Sequence, residues 1–199
     1  MMLESAMRAT RVREWSLAAA IAVTALAGCG GRSEWQELPI REGGFSVLMR
    51  TQPHYARQQL DTPGGKVPAH LYSSPRGESY FAVGYSDFPL TQVVGGSADA
   101  LFAQVRDTWV KRIEGRLVLS SPLKLDGQHP GIEFSAEGRV KGADAFLDAR
   151  LYLVGQRLYQ VIAMGRKSEV PQGIVNRFLN SFKLIEASEG GMIMLKPGG

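Results

Sequence analysis

The sequence predicts an α+β fold with a mainly antiparallel sheet, one central helix and one C-terminal helix. Three observations predict it. Residues 132–140 and 145–154 each alternate apolar with polar side chains, and Lys141-Gly142-Ala143-Asp144 separates them, the pattern of a hairpin with one buried face. Between two blocks of extended segments, Leu101, Phe102, Val105, Trp109 and Ile113 recur at helical spacing. A second helical pattern lies near the carboxy end, where Ile174, Phe178 and Phe182 are spaced by four.

The elements follow in order. Phe45, Val47 and Met49 line one face of a first strand, and a weaker strand is expected at 56–62. Pro63-Gly64-Gly65 breaks the chain before 67–73, where Val67, Ala69 and Leu71 alternate. Pro75-Arg76-Gly77 leads into 80–87, which is apolar on both faces and so belongs in the middle of the sheet. After a loop, Ser97 is placed to N-cap a helix with Asp99 in its first turn, where a carboxylate suits the helix dipole. The stripe from Leu101 to Ile113 is read as a helix face packed on a sheet; a ligand-stacking pair of Phe102 and Trp109 is the other reading of the same residues. Gly115 stands where a left-handed residue ends a helix. Extended pattern resumes at 117–125, and Asp126-Gly127 with Pro130-Gly131 reverses the chain.

The next hairpin carries a register. With Val140 facing Ala145, Ile132 opposes Leu153, Phe134 opposes Leu151, Ala136 opposes Ala149 and Gly138 opposes Leu147, all on one face. The other face sets Glu133, Ser135, Glu137 and Arg139 against Tyr152, Arg150, Asp148 and Phe146. Glu137 beside Asp148 has the form of a catalytic carboxylate pair. Arg139 and Arg150 flank it, however, and alternating charge is ordinary on a solvated sheet face, so no catalytic residue is assigned. Gly155-Gln156 fits a two-residue type II′ hairpin into 158–165. A final helix is expected at 168–182 with Pro171 near its start, then a short closing strand at 183–185. The tail, 186–199, carries Met192-Ile193-Met194-Leu195 between glycine pairs.

Composition narrows the function. With 199 residues, 44% of them hydrophobic, the chain can bury a core, which excludes wholesale disorder. A single cysteine excludes an intrachain disulfide and any multi-cysteine metal cluster. His54, His70 and His129 are isolated, with no carboxylate cluster at ligand spacing, so no metal and no cofactor are expected. Gly95-Gly96-Ser97 lacks the Lys-Ser/Thr of a phosphate loop, and neither a nucleophile elbow nor a dinucleotide fingerprint occurs. The net charge of +4 comes from scattered residues, without the basic patch that nucleic acid requires.

The amino terminus has a different character. Arg8, Arg11 and Arg13 precede an apolar run at 17–27, eleven residues that as a helix would span about 16 Å, against the roughly 30 Å of a bilayer core. That is an export leader rather than a membrane span. It ends in Leu26-Ala27-Gly28-Cys29, which resembles the lipobox of bacterial lipoproteins. The resemblance implies a signal peptide at 1–28, a diacylglyceryl thioether on Cys29 and acylation of the freed amine, commonly by palmitate. Two or three chains give durable anchoring. Residues 29–34 then form the lipidated cysteine and a flexible tether, and Gly30 in place of Asp points to the outer membrane, facing the periplasm.

Residues 35–185 carry a second resemblance. Gly44-Phe45-Ser46-Val47, Tyr80-Phe81-Ala82-Val83-Gly84-Tyr85, Pro130-Gly131-Ile132-Glu133-Phe134 and Phe178-Leu179-Asn180-Ser181-Phe182-Lys183-Leu184, in this order of elements, resemble the PsbP-like domain. That family implies a three-layer α/β/α sandwich around an antiparallel sheet. Its members bind partners as different as photosystem II and the GTPase Ran, which implies a binding scaffold and transfers no site residue. The expected function is a membrane-anchored, non-catalytic interaction or assembly module with a protein partner in the cell envelope. The alternative is a small-molecule binder or hydrolase using a pocket between the sheet and the 97–115 helix, which a filled core would reject and an open cavity would favour.

Overall fold

The computed structural model describes residues 35–50, 52–62, 65–89 and 97–185. The leader, Cys29, the tether, Gly95-Gly96 and the tail lie outside the described residues. The elements are β1 (Trp35–Ile40), β2 (Phe45–Arg50), β3 (His54–Thr62), β4 (Gly65–Arg76), β5 (Ser79–Asp87), α1 (Ala98–Arg112), β6 (Arg116–Leu125), β7 (His129–Val140), β8 (Ala143–Val154), β9 (Arg157–Arg166), α2 (Gln172–Leu179) and β10 (Lys183–Leu184). Seven strands form one antiparallel sheet in the order β3-β4-β5-β9-β8-β7-β6, and β1-β2-β10 form a small second sheet. The fold is α+β, with two helices and sheet predominating, and β5 holds the interior position its two-faced apolarity predicts.

The small sheet and α2 pack on one face of the large sheet. Phe45, Val47 and Met49 are fully buried there, and the Phe45 ring meets Tyr72, Tyr85, Tyr159 and Phe182 at centroid distances of 5.4–6.3 Å. β1 is an element the hydrophobic pattern does not predict: it is an edge strand interrupted by Pro39, a residue tolerated where one side of the strand needs no donor. Trp35 nevertheless anchors it, 4.8 Å from Phe81.

Three sequence expectations are corrected. The β7–β8 register is shifted by two residues: Val140 faces Ala143, so Phe134 opposes Ala149, Ala136 opposes Leu147 and Gly138 opposes Ala145. Lys141 and Gly142 alone make the turn, at φ 51° and 78°, and two successive left-handed residues form the type I′ turn that matches strand twist. Because the shift is even, every side chain keeps its face and only its partner changes. Asp148 therefore opposes Ser135, Glu137 opposes Phe146, and Glu133 meets Arg150, whose Nε reaches it at 2.5 Å. Second, the left-handed residue ending α1 is Glu114 (φ 48°), not Gly115. Glu114 N–H donates to Lys111 O and Gly115 N–H to Val110 O, both at 3.0 Å, a Schellman cap. Gly115 is required for another reason: a Cβ there would lie 2.7 Å from the Glu137 carbonyl oxygen of β7. Third, α2 is only eight residues long, because Pro171 sits at its N-cap and Ser181 closes its end by donating to Phe178 O at 2.6 Å. The apolar period outlasts the helix, since Phe182 continues into the core and stacks on Phe45 and Tyr152. The cover on that face is α2 together with the small sheet.

Helix α1 packs on the opposite face. Ser97 Oγ accepts from Ala100 N–H at 3.0 Å as its N-cap. At the far end, Arg139 N–H donates to Ile113 O at 2.7 Å, and Gly138 lies so close beneath that a Cβ would run into that carbonyl. Phe102 and Ile113 are buried against Phe134, Leu147, Leu151 and Leu153.

Candidate functional site

One helix cannot cover this sheet. A helix with its side chains is about 10 Å wide, whereas seven strands at about 4.8 Å spacing make a surface about 29 Å across. Helix α1 sits over the β7–β8 side, and its other flank faces β9, β5, β4 and β3 across a cavity of about 780 Å³.

The predicted apolar stripe of α1 is thereby divided. Phe102 and Ile113 point into the core, but Leu101, Val105 and Trp109 are half-buried and line the cavity. Across from them, Leu60, Leu71, Tyr80, Ile162 and Met164 form an apolar floor. Gly84 contributes depth: a Cβ there would lie 3.4 Å from both the His70 carbonyl oxygen and Leu71, ordinary contact distances, so a methyl group fits where the sequence places none. Trp109 Nε1–H donates to Gln160 Oε1 at 2.8 Å, which satisfies both polar groups and fixes the indole as a wall. The Arg112 guanidinium lies over that indole, 5.3 Å from the ring centroid.

The ends of the groove differ. Toward Phe88 and Ser97 lies Ser86, whose hydroxyl is fully buried with no hydrogen-bond partner among the described residues. Toward Tyr80 and Met164 lies Arg112, the one charged side chain among the described residues lining the groove. No described lining residue is a carboxylate. The His70 ring turns to the other face, where it stacks on Tyr85 at 4.5 Å and its Nδ1 lies 2.8 Å from the Tyr55 hydroxyl. Among the described residues Ser86 therefore has no base beside it, and they assemble no nucleophile–base pair in the groove.

The remaining charged groups are structural. Glu137 is paired with Lys167 at 2.5 Å and Arg116 at 2.9 Å, which hold its carboxyl below the usual range. Asp148 accepts from Gln172 Nε2 at 3.1 Å. Both are engaged with other groups, and a general acid would need a raised pKa, the opposite of what Glu137 has. Tyr72 donates to Glu42 at 2.6 Å; burial, then that carboxylate, pushes the phenol up, while the hydrogen bond pulls Glu42 down. His54, His70 and His129 stand on separate strands, and among the described residues no group of three or more His, Cys, Asp or Glu could hold a metal. No helix among them is long and apolar enough to cross a membrane. Cys29 lies outside the described residues.

No family model and no curated protein matches the sequence. Solved structures do. Cyanobacterial PsbP (CyanoP) from Synechocystis sp. PCC 6803 superposes with a TM-score of 0.54 at 13% identity, covering 80% of this chain and 98% of that one. A Pseudomonas aeruginosa protein of unknown function aligns at a TM-score of 0.40 and 10% identity, over 72% of this chain and 91% of that one. The chain thus has the fold of a PsbP-like domain, which the four sequence stretches around Phe45, Phe81, Ile132 and Phe178 anticipate.

Proposed function

We propose that the chain is a non-catalytic binding module, held at a bacterial membrane by lipid on Cys29, in which the groove beside α1 receives an apolar small molecule. The groove is the observation that supports this reading: about 780 Å³ falls within the range of small-ligand sites. The satisfied Trp109–Gln160 pair, the absence of carboxylates among the described lining residues and the lone Ser86 favour binding over hydrolysis. In layers, we read the fold as a three-layer sandwich, with α1 outside one face and α2 and the small sheet outside the other. The lipobox-like leader and Gly30 support an outer-membrane, periplasm-facing location.

A trough rather than a broad flat patch favours a small molecule over a folded partner, since a stable protein interface takes about 800 Å² from each side. The test uses the full-length protein in vesicles and hexadecanol carrying a photoactivatable diazirine. Labelling is expected on Leu71 and Leu101, and is lost in Gly84→Leu and in Ala100→Trp, two variants that fill the groove from opposite walls. Labelling elsewhere, or unchanged in both variants, overturns the groove. In a parallel pull-down, an envelope protein captured by the wild type and lost by both variants would make a protein segment the occupant instead. Radiolabelled palmitate incorporated into the wild type but not into Cys29→Ser checks the anchor.

A further inference from the structure

We infer that the groove selects single-chain amphiphiles with an anionic head, a long-chain carboxylate being the simplest, and that Arg112 receives the head. This rests on the groove being a binding site and adds the chemistry of its ligand.

The distribution of charge carries the inference. Among the described lining residues, Arg112 is the only cation and there is no anion, so the local field favours a negative ligand. Arg112 makes no salt bridge among the described residues. Its described contact is the face of Trp109, a stacking that aims the guanidinium and leaves its edge N–H donors open. It stands at the groove's rim and is exposed, where a charged head can keep water while the chain lies on the apolar floor.

The helix dipole would oppose an anion at the carboxy end of α1, but that end is already occupied. Val110 O and Lys111 O accept the Schellman hydrogen bonds, and Ile113 O accepts from Arg139 N–H. The shape fits one extended chain. From Arg112 the groove follows α1 back to Ser97, fifteen helical residues or about 22 Å at 1.5 Å per residue. Leu101, Val105, Leu71 and Ile162 lie along that path.

The experiment compares diazirine-bearing palmitate with diazirine-bearing hexadecanol on the full-length protein in vesicles, at equal membrane concentrations. Palmitate should label Leu71 and Leu101 roughly tenfold more strongly than the alcohol, the increment expected of a charge-assisted hydrogen bond. Arg112→Ala should remove that preference without abolishing alcohol labelling. Arg112→Lys, which keeps the charge, should retain most of it. Equal labelling by the two probes, or a preference unchanged in Arg112→Ala, overturns the anionic head while leaving the groove standing. Absence of groove labelling by either probe overturns both readings.

Discussion

Toward the small sheet, the seven-stranded sheet presents Phe81, Val83, Tyr159 and Val161, all 3% exposed or less. Toward α1 the same sheet is buried beneath the helix, at Phe134, Leu147 and Leu151, but beside it presents Leu71, Tyr80, Gln160 and Met164, all half-buried. Three strands and a helix cover the first face, and one helix covers the second. Face composition follows the cover. Phe45, Phe178 and Phe182 project into the closed side, whereas the open side has Gly84 and Ser86 on β5, between the larger side chains of Leu71, Tyr80 and Met164. A face left short of cover, with an apolar floor around Gly84 and Ser86, reads as a site. A face with surplus aromatics reads as the core that holds the fold.

Phe45→Ala is the strongest way to test this contrast. The ring is fully buried among four other aromatics, so its removal should cost about 3–5 kcal/mol in urea unfolding. Leu71→Ala on the groove floor should cost about 1 kcal/mol or less, because the side chain already borders open space. Equal costs would mean that the groove is filled in solution and the two faces are alike.

The covered part of the α1 face should behave differently from the open part. Gly138→Ala places a Cβ against the Ile113 carbonyl and 2.7 Å from the Gly115 Cα, both backbone atoms that can yield only if α1 shifts. The expected loss is about 1–3 kcal/mol by urea unfolding, with altered groove labelling as the helix moves. A neutral outcome would show that α1 rides loosely on β7, and that the groove's width is not fixed from that side.

Which of these features could be read beforehand depends on the scale of the signal. Alternation and helical period are local, so strands β2–β9, the Ser97 cap and the Gly155-Gln156 turn were legible. The β7–β8 register was legible only to within two residues. Alternation has period two and is blind to an even shift, and what decides it is the left-handed pair Lys141-Gly142. β1 was not legible because an edge strand bearing Glu37 and Pro39 need not alternate cleanly. The groove was legible in position, between the sheet and the helix, but not in its lining. Periodicity treats Trp109 and Phe102 alike, and only the sideways placement of α1 on a wide sheet separates the wall residue from the core residue. Ser86 and Gly84, in a strand of continuous apolar character, were the signal available for a face without a full lid.

The smallest expected effect concerns how the closed face is tied shut. Arg157 pairs with both oxygens of Asp87, at 2.6 and 2.7 Å, lies over the Tyr85 ring at 4.6 Å, and donates to Gly43 O in the β1–β2 turn at 3.1 Å. That links the small sheet's turn to β5 and β9, whereas no ion pair crosses the groove among the described residues. The Arg157 hydrogen bonds hold the Asp87 carboxyl below its usual range, against the opposing effect of burial. A carboxyl lowered in the folded state adds stability above its unfolded pKa, near 3.9, and loses it as pH falls through the folded value. With the Asp87 side chain 54% exposed, solvent screening limits the contribution to about 1 kcal/mol or less. The stability difference between wild type and Asp87→Asn should therefore be largest at about pH 6 and shrink as the pH is taken below the unfolded carboxyl value. A difference that stays flat over that range would mean the carboxylate charge does not fasten the closed face, leaving aromatic packing around Phe45 to do so alone.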